Sequence, residues 1–390
     1  MTRTLRIFIL GGLLIGLSSC SHEKAPETRV VSRPTPPKTK PIPPVAVPKP
    51  TSSSPQSSSH KVGLLLPLTG PHAALGKGMM DAAELALFEI GGTSITLYPQ
   101  DTSQGAHQAA LRALDEGAEI LLGPIFAAEV EAIKPLLSAR NINLISFSTD
   151  HTVAGNGVFI LGFLPSQQIE LILNFAKERN LTKIAALTPN DQYGRLIDQT
   201  LRRLESQGHI ELLGITHYSK ADLLEGNPGN ARIIEEVEEY KAKGLAALLI
   251  PEGGENLGYI ATLLRSQMPP TILGSGQWDA PDTLQMVTHL KESFFASTDP
   301  QEWQNFDLRF QKAYGYNPPR ISTLAYDATA LAIALADKGY TFQNLTFSQG
   351  FSGVDGIFRL TNQGLNERGL VVLEVTHSGF RTIRPAPRTF

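Results

Sequence analysis

The stretch KVGLLLPLTGPHAALG, residues 61–76, decides the fold. Its apolar run at 62–66 has the length of a buried strand, and Pro67 ends it because proline cannot donate a ladder hydrogen bond. Apolar residues then recur at helical spacing over residues 71–90. A short buried strand that leads directly into a helix predicts the first unit of a parallel α/β sheet.

The alternation of strand and helix continues along the chain to residue 274. Further strands are predicted at 95–98, 119–122, 144–147, 159–163, 184–187, 212–218, 246–250 and 271–274. Further helices are predicted at 105–116, 127–140, 167–179, 192–207, 230–243 and 256–266. Because the rhythm restarts after Pro165, we expect an α/β protein with two doubly wound parallel-sheet lobes. Ligands of such sheets bind outside the carboxyl ends of the strands.

The first residues of the chain have the layout of an export signal. Arg3 and Arg6 precede an apolar run at 7–17, which is too short to span a bilayer comfortably because that takes about 20 apolar residues. Leu-Ser-Ser-Cys20 follows and resembles the lipobox of bacterial lipoproteins. That resemblance implies cleavage after residue 19, lipidation of Cys20, and, from the small residue Ser21, the outer membrane. The alternative is an ordinary signal peptide that ends near a cysteine.

Two features of composition bear on this hypothesis. Cys20 is the single cysteine in 390 residues, so no intramolecular disulfide forms and the one retained thiol stands where lipidation requires it. Residues 20–60 hold ten of the 27 prolines and many serines, a composition that cannot bury enough apolar area to fold and predicts a disordered tether. The formal net charge of −3 gives no basic domain for binding nucleic acid.

The folded part resembles the leucine/isoleucine/valine-binding family of type I periplasmic binding proteins. The resemblance rests on residues 61–76, Asp101, 122–124, 191–194, 324–328, 351–358 and 369–374, in this order and spacing. It covers about residues 61–385 and implies two lobes joined by three crossovers that close on a ligand. The implied lobes are an N-lobe of about 61–163 and 300–340, and a C-lobe of about 164–299 and 341–385.

The same resemblance implies a cleft that binds an α-amino acid. A ligand carboxylate needs N–H and O–H donors, and a ligand ammonium needs a carboxylate. Donors, a tyrosine, two alternative acids and an apolar wall are all present at strand ends. The candidates are Ser146, Ser148 and Thr149 as donors, Tyr193 as the tyrosine, Glu252 or Asp279 for an ammonium, and Trp278 as the wall.

One element departs from the family pattern. After Gly123-Pro124 the family commonly has small hydroxyl residues that hold the carboxylate, whereas this chain has Phe126 and Ala127. Glu129 would repel a carboxylate if it pointed into the cleft. Backbone amides at the start of the helix at 127–140 can still bind an anion.

The departure resembles one branch of the fold, the lipoprotein activators of penicillin-binding proteins, in residues 123–132, 144–150 and 154–157. The leading hypothesis is therefore a lipid-anchored periplasmic regulator that contacts a penicillin-binding protein and controls peptidoglycan synthesis. The alternative is the substrate-binding protein of a branched-chain amino-acid ABC transporter, with an amino-acid-like ligand. The resemblance does not extend to the helical-repeat domain of the larger activators, in whose place the sequence predicts the tether.

No sequence motif indicates an enzyme. Gly70 to Lys77 misses a phosphate loop, because five residues separate the glycines where four are needed. Neither His-Glu-x-x-His nor Gly-x-Ser-x-Gly occurs, and the nine histidines show no close metal-ligand spacing. We therefore predict a non-enzymatic protein with no catalytic residue, metal or cofactor.

Overall fold

The computed structural model describes residues 59–266, 271–279, 290 and 293–390. The predicted signal peptide at 1–19, the lipidation site Cys20 and the predicted tether as far as residue 58 lie outside the described residues. The first strand begins at His60, one residue before the predicted start of the domain.

The N-lobe is built on a parallel sheet with the strand order β2-β1-β3-β4-β5. Its strands are β1 (His60–Leu66), β2 (Ile95–Asp101), β3 (Ile120–Leu122), β4 (Asn143–Ser146) and β5 (Val158–Ile160). The connecting helices are α1 (Ala73–Ile90), α2 (Ala106–Asp115) and α3 (Ala127–Arg140). A one-turn 3₁₀ helix, Gly70–His72, precedes α1, and another follows β4 at His151–Val153.

The C-lobe contains a larger sheet, in which β14 (Val371–Thr376) and β15 (Gly379–Arg384) lie beside five parallel strands in the order β15-β14-β10-β9-β8-β6-β7. Its parallel strands are β6 (Lys183–Pro189), β7 (Glu211–Tyr218), β8 (Ala247–Leu249), β9 (Ile272–Gly274) and β10 (Phe294–Ser297). The helices are α4 (Pro165–Glu178), α5 (Gln192–Ser206), α6 (Pro228–Ala242) and α7 (Gly254–Leu263), and a 3₁₀ turn covers Gly276–Trp278.

The C-terminal part of the chain returns to both lobes. Helices α8 (Pro300–Tyr314) and α9 (Ser322–Leu335) pack on α1, and the 3₁₀ turn Ala336–Lys338 and α10 (Phe342–Leu345) follow. A small antiparallel sheet then contains β11 (Phe351–Gly353), β12 (Gly356–Leu360) and β13 (Asn366–Arg368). The hairpin of β14 (Val371–Thr376) and β15 (Gly379–Arg384) completes the C-lobe sheet, with β14 antiparallel to β10.

Each parallel sheet carries a hydrophobic core on both faces. In β1, Leu64 packs in the cluster that contains α9, whereas its neighbour Leu65 packs in the cluster that contains α2 and α3. In β6, Ala185 and Ala186 are divided in the same way. Side chains alternate between the faces of a strand, so a strand covered on both sides must be apolar at every position. This explains why the strands are continuous apolar runs in the sequence.

The predicted fold class, two doubly wound α/β lobes, is confirmed by the strand orders of the two parallel sheets. Every strand and helix predicted from residue 62 to residue 274 is present, with ends displaced by at most three residues. No helix within the described ranges is long and apolar enough to cross a bilayer.

The implied lobe assignment of residues 341–385 differs from the structure. Leu345, Phe358 and Leu360 pack in the N-lobe core, and only β14 and β15 join the C-lobe sheet. The chain therefore returns to the C-lobe between β13 and β14 rather than after residue 340. The apolar faces of α10 and β12 cause this difference, since they cover the N-lobe sheet beside α9.

Candidate functional site

A cavity of about 370 Å³ lies at the carboxyl ends of the strands, between the two lobes. We call it the cleft cavity. The loops after β3 and β4 and the start of α9 line it from the N-lobe, α5 lines it from the C-lobe, and Phe163 lies at a crossover. Its lining residues are Ile125, Phe126, Ala127, Phe147, Ser148, Thr149, Asp150, Phe163, Gln192, Tyr193, Leu196, Ile321 and Leu324.

The N-lobe side of the cleft cavity is mainly apolar. Phe126 is the N-cap residue of α3 and provides no side-chain cap, and its ring lies 4.9 Å from the ring of His72, between centroids. Ser148 is buried in the lining, and its hydroxyl oxygen accepts a hydrogen bond from the Asp150 N–H at 3.1 Å. Ser146 is also buried, but its hydroxyl donates to the Pro124 carbonyl at 3.0 Å. Ser146 therefore supports the loop beneath the cavity instead of lining it.

The C-lobe side depends on a close approach between α5 and β6. A Cβ atom on Gly194 would lie 1.8 Å from the Pro189 carbonyl oxygen, so only glycine allows the first turn of α5 this close to the strand. Asp191 caps that turn by accepting the Gly194 N–H at 2.9 Å. The result places Gln192 and Tyr193 in the cleft. Burial raises the pKa of Tyr193 to about 12, so its hydroxyl, 3.1 Å from Ser275 Oγ, stays neutral.

A hydrogen bond joins the two lobes across the cleft cavity. Gln192 Nε2 donates to Asp150 Oδ2 at 2.6 Å. The other oxygen, Asp150 Oδ1, accepts the Thr152 N–H at 2.9 Å and the Thr152 hydroxyl at 2.7 Å. Asp150 is only 8% exposed and is the single charged residue among the described residues of the lining.

Glu252 lies outside the cleft cavity. Its carboxylate accepts the Tyr218 hydroxyl at 2.5 Å and the Gly253 N–H at 3.0 Å. Burial and the charge of Glu252 raise the pKa of Tyr218, which keeps that hydroxyl a donor. Glu252 and Tyr218 line a second, more polar cavity of about 440 Å³ on the C-lobe, which Tyr193 separates from the first.

Trp278 and Asp279 also lie away from the cleft cavity. Trp278 is fully buried in the C-lobe core, and its indole N–H donates to the Ile250 carbonyl at 3.0 Å. It therefore cannot form the apolar wall predicted for it. Asp279 accepts the Ser297 hydroxyl at 3.2 Å and lies 3.8 Å from Arg320 Nε. Burial raises the pKa of Asp279, and the charge of Arg320 offsets part of that shift.

Asp279 belongs to a group of buried and partly buried charges, which we call the hinge charge cluster: Asp279, Arg320, Asp327, Asp355 and Arg368. Arg320 Nη2 lies 2.8 Å from Asp355 Oδ1 and also donates to the Thr298 hydroxyl. Arg368 Nη1 lies 3.6 Å from Asp327 Oδ2, and Arg368 Nη2 donates to the Leu161 carbonyl at 3.3 Å. Leu161 and Thr298 lie on chain crossovers, so the cluster joins the lobes.

The hinge charge cluster also supports the floor of the cleft cavity. The guanidinium carbons of Arg320 and Arg368 each lie 5.1 Å from the centroid of the Phe163 ring. Burial raises the pKa of Asp327 to about 7, although Arg368 acts to lower it. Burial acts to raise the pKa of Asp355 as well, but there the two arginines prevail and lower it.

Five of the nine predicted cleft residues thus meet in one cavity: Phe126, Ala127, Ser148, Thr149 and Tyr193. The sequence analysis did not select Asp150 and Gln192, although both follow predicted strands, where a ligand is expected to bind. Phe163 and Ile321 carry no such signal, because only the topology brings a crossover and the start of α9 to the cleft. Within the described ranges, no group of three or more His, Cys, Asp and Glu side chains is placed to hold a metal ion.

The fold and this cleft define a class of protein, and comparison with known families agrees. A family model described as periplasmic binding protein matches residues 59–363, so the chain belongs to that family. The architecture is the type I fold of leucine- and branched-chain amino-acid-binding proteins.

Solved structures share this fold at low sequence identity. A putative branched-chain amino-acid ABC transporter protein from Rhodospirillum rubrum has a TM-score of 0.72 at 19% identity, covering 83% of this chain and 100% of that one. A substrate-binding protein from Streptococcus pneumoniae in complex with isoleucine gives 0.61 at 18%, covering 84% and 100%. A solute-binding protein from R. palustris in complex with benzoate gives 0.60 at 17%, covering 85% and 97%.

A curated relative is an uncharacterized protein of Rickettsia prowazekii. It is 26% identical over 172 residues, which span 43% of this chain and 44% of the relative.

Proposed function

We propose that this protein is a solute-binding protein that captures a small, mainly apolar ligand in the cleft cavity. The observation that carries the proposal is a cavity lined from both lobes and bridged by the hydrogen bond between Gln192 and Asp150. Residues from two lobes can enclose a ligand only when the lobes come together, which is the closure mechanism of this fold.

The size and lining of the cleft cavity fit this role. Ligand pockets in proteins measure roughly 300–1,000 Å³ and combine apolar walls with a few placed polar groups. The cleft cavity, at about 370 Å³, holds a ligand of the size of one amino acid or one substituted aromatic ring. Its walls include three phenylalanines, and its polar groups are confined to residues 148–150 and the start of α5.

A ligand-binding role implies a partner that receives the ligand. The proteins of the same fold from R. palustris and Rhodospirillum rubrum are described as parts of ABC transporters. We propose an ABC-type permease as that partner.

We also propose that the protein is exported to the periplasm and anchored there by a lipid on Cys20, as the resemblance of residues 17–20 to a lipobox implies. Labelling cells with a fatty-acid analogue should mark the wild-type protein and leave Cys20→Ala unmarked, with both proteins exported.

A matched pair of variants tests the cavity itself. Ala127 lines the cleft cavity, whereas its neighbour Ala128 is exposed and does not. Calorimetry against a panel of amino acids, their amides and small aromatic acids should identify a ligand. Ala127→Phe should abolish its binding by filling the cavity, and Ala128→Phe should preserve it. Failure of the whole panel to bind, or equal loss in both variants, would contradict the proposal.

A second candidate function is activation of a penicillin-binding protein. It is favoured by the absence of hydroxyls at Phe126 and Ala127, which line the cleft cavity where the family holds a ligand carboxylate. Affinity purification from envelope extracts, followed by a peptidoglycan synthesis assay with the recovered synthase, tests this candidate. Recovery of no penicillin-binding protein, together with normal synthesis in a deletion strain, would exclude it.

A further inference from the structure

The charge inside the cleft cavity is unbalanced. Asp150 is a buried carboxylate, and no Lys, Arg or His lies among the described residues that line the cavity. Its three hydrogen-bond donors, two from Thr152 and one from Gln192, are all neutral groups. A carboxylate oxygen accepts about two hydrogen bonds, so Asp150 Oδ2, which accepts one, retains a free acceptor position.

The other two candidate acids cannot serve a ligand here. Glu252 accepts the Tyr218 hydroxyl and lines a different cavity. Asp279 is engaged by Arg320 and Ser297 in the hinge charge cluster. Asp150 is therefore the one described acid that faces a ligand in the cleft cavity.

The same cavity disfavours a ligand carboxylate. Phe126 and Ala127 bring no hydroxyl to the start of α3, and the Ser146 hydroxyl is turned to the Pro124 carbonyl. A ligand carboxylate would also share a mainly apolar cavity with the Asp150 carboxylate, and like charges repel more strongly as the dielectric constant falls. The Ser148 hydroxyl accepts from the Asp150 N–H and can still donate its proton to a neutral carbonyl.

We propose, on the basis of the proposed function, that the cleft cavity selects an apolar ligand with a free amino group and no free carboxylate. Asp150 is the counter-charge of the ammonium, Ser148 donates to an amide or ester carbonyl, and the phenylalanines hold the apolar body. An amidated amino acid has this chemistry, as does the first residue of a peptide.

Four compounds with the same carbon skeleton distinguish the effect of a ligand ammonium from the effect of a ligand carboxylate. Leucine has both groups, leucinamide has the amine alone, 4-methylpentanoate has the carboxylate alone, and 4-methylpentanamide has neither. Calorimetry on the mature protein should show leucinamide binding more tightly than leucine by at least about tenfold, since juxtaposed like charges are strongly unfavourable. The weakest ligand should be 4-methylpentanoate.

Asp150→Asn keeps an oxygen to accept from Thr152 and removes the charge. This variant should lose the preference for leucinamide over 4-methylpentanamide and should gain affinity for 4-methylpentanoate. Asp115→Asn is the control, because Asp115 is exposed and paired with Arg140. Thermal unfolding of both variants establishes that they are folded.

The outcomes are distinguishable. Tighter binding of leucine or 4-methylpentanoate than of leucinamide overturns the inference and leaves the proposed function standing. Binding by none of the four probes overturns the inference as well, and the broader panel then decides whether the proposed function fails with it. An unchanged preference in Asp150→Asn also overturns it, because the selectivity would then arise elsewhere.

Discussion

The cleft cavity and the hinge charge cluster share Phe163, yet they use charge in opposite ways. Among the described residues, the cleft cavity holds a single carboxylate, Asp150, and neutral groups donate hydrogen bonds to it. The hinge charge cluster holds two arginines and three aspartates, and each aspartate lies within 3.8 Å of an arginine nitrogen. The arginines that could have met a ligand carboxylate lie behind the Phe163 ring and are paired with aspartates. The paired charges of the hinge charge cluster therefore hold the lobes together, and the cleft cavity, apart from Asp150, has a mainly apolar lining.

This difference separates stability from specificity. A buried ion pair that loses one partner leaves an uncompensated charge, so changes in the hinge charge cluster should destabilise the fold. Cavity residues make mostly apolar contacts and one hydrogen bond between lobes, so changes there should alter ligand selection with small effects on stability. Variants in the hinge charge cluster and variants in the cleft cavity should therefore separate these two effects.

Arg368→Met should give the largest effect. The Arg368 side chain is 2% exposed and Asp327 is fully buried, so above the Asp327 pKa of about 7 the variant leaves a buried carboxylate without its cation. We expect the free energy of unfolding in urea to fall by about 3–5 kcal/mol. Arg359→Met is the control, because Arg359 pairs with Glu367 at the surface and its loss should cost less than about 1 kcal/mol. Equal losses in the two variants would contradict the special role of the cluster.

The pH dependence of stability tests Asp327 directly. Its pKa is raised from 3.8 to about 7, so the folded state binds a proton that the unfolded state releases between these values. The contribution of Asp327 to stability is therefore complete below about pH 4 and is lost as the pH rises to about 7. The difference in unfolding free energy between wild type and Asp327→Asn should fall across this window and then level. A difference that stays flat, or that rises, would exclude this assignment.

Gln192→Ala should open the cleft with a smaller energetic effect. The variant removes the hydrogen bond to Asp150 that joins the lobes, a change worth about 1 kcal/mol or fivefold in the population of the bridged arrangement. Energy transfer between one dye on each lobe should report the longer mean distance. Gln207→Ala, at the exposed end of the same helix, should leave the distance unchanged. If both variants behave alike, the bridge does not control lobe separation.

The fold was predictable from the sequence because both faces of each sheet are buried. Such strands are continuous apolar runs, as at 62–66 and 184–187, and their ends are marked by proline or polar residues. Part of the site was predictable, since residues 148–150 and Tyr193 follow predicted strands, and the carboxyl ends of those strands form the ligand-binding edge of the sheets. The sequence did not indicate that the Trp278 indole would pack against Gly274. The two are so close that a Cβ atom added to Gly274 would lie 2.3 Å from the indole ring. The ion pair between Arg320 and Asp279 was also not predictable, because the two residues are distant in sequence and only the fold brings them together.

Ala127→Ser should give the smallest effect. It tests whether the cleft cavity controls ligand selection with little influence on stability. The variant restores a hydroxyl at the start of α3, at a position that lines the cleft cavity. One added hydrogen bond to a ligand carboxylate should raise the affinity for 4-methylpentanoate about threefold. The melting temperature should hardly change, because surface and cavity-edge substitutions of similar size usually cost less than about 0.5 kcal/mol.

Ala128→Ser is the control, because Ala128 is exposed on the same turn, and this variant should leave the affinity unaltered. An equal gain in both variants would mean that the hydroxyl acts through the helix and not through the cavity, and Phe126 and Ala127 would then lose their role in selecting the ligand.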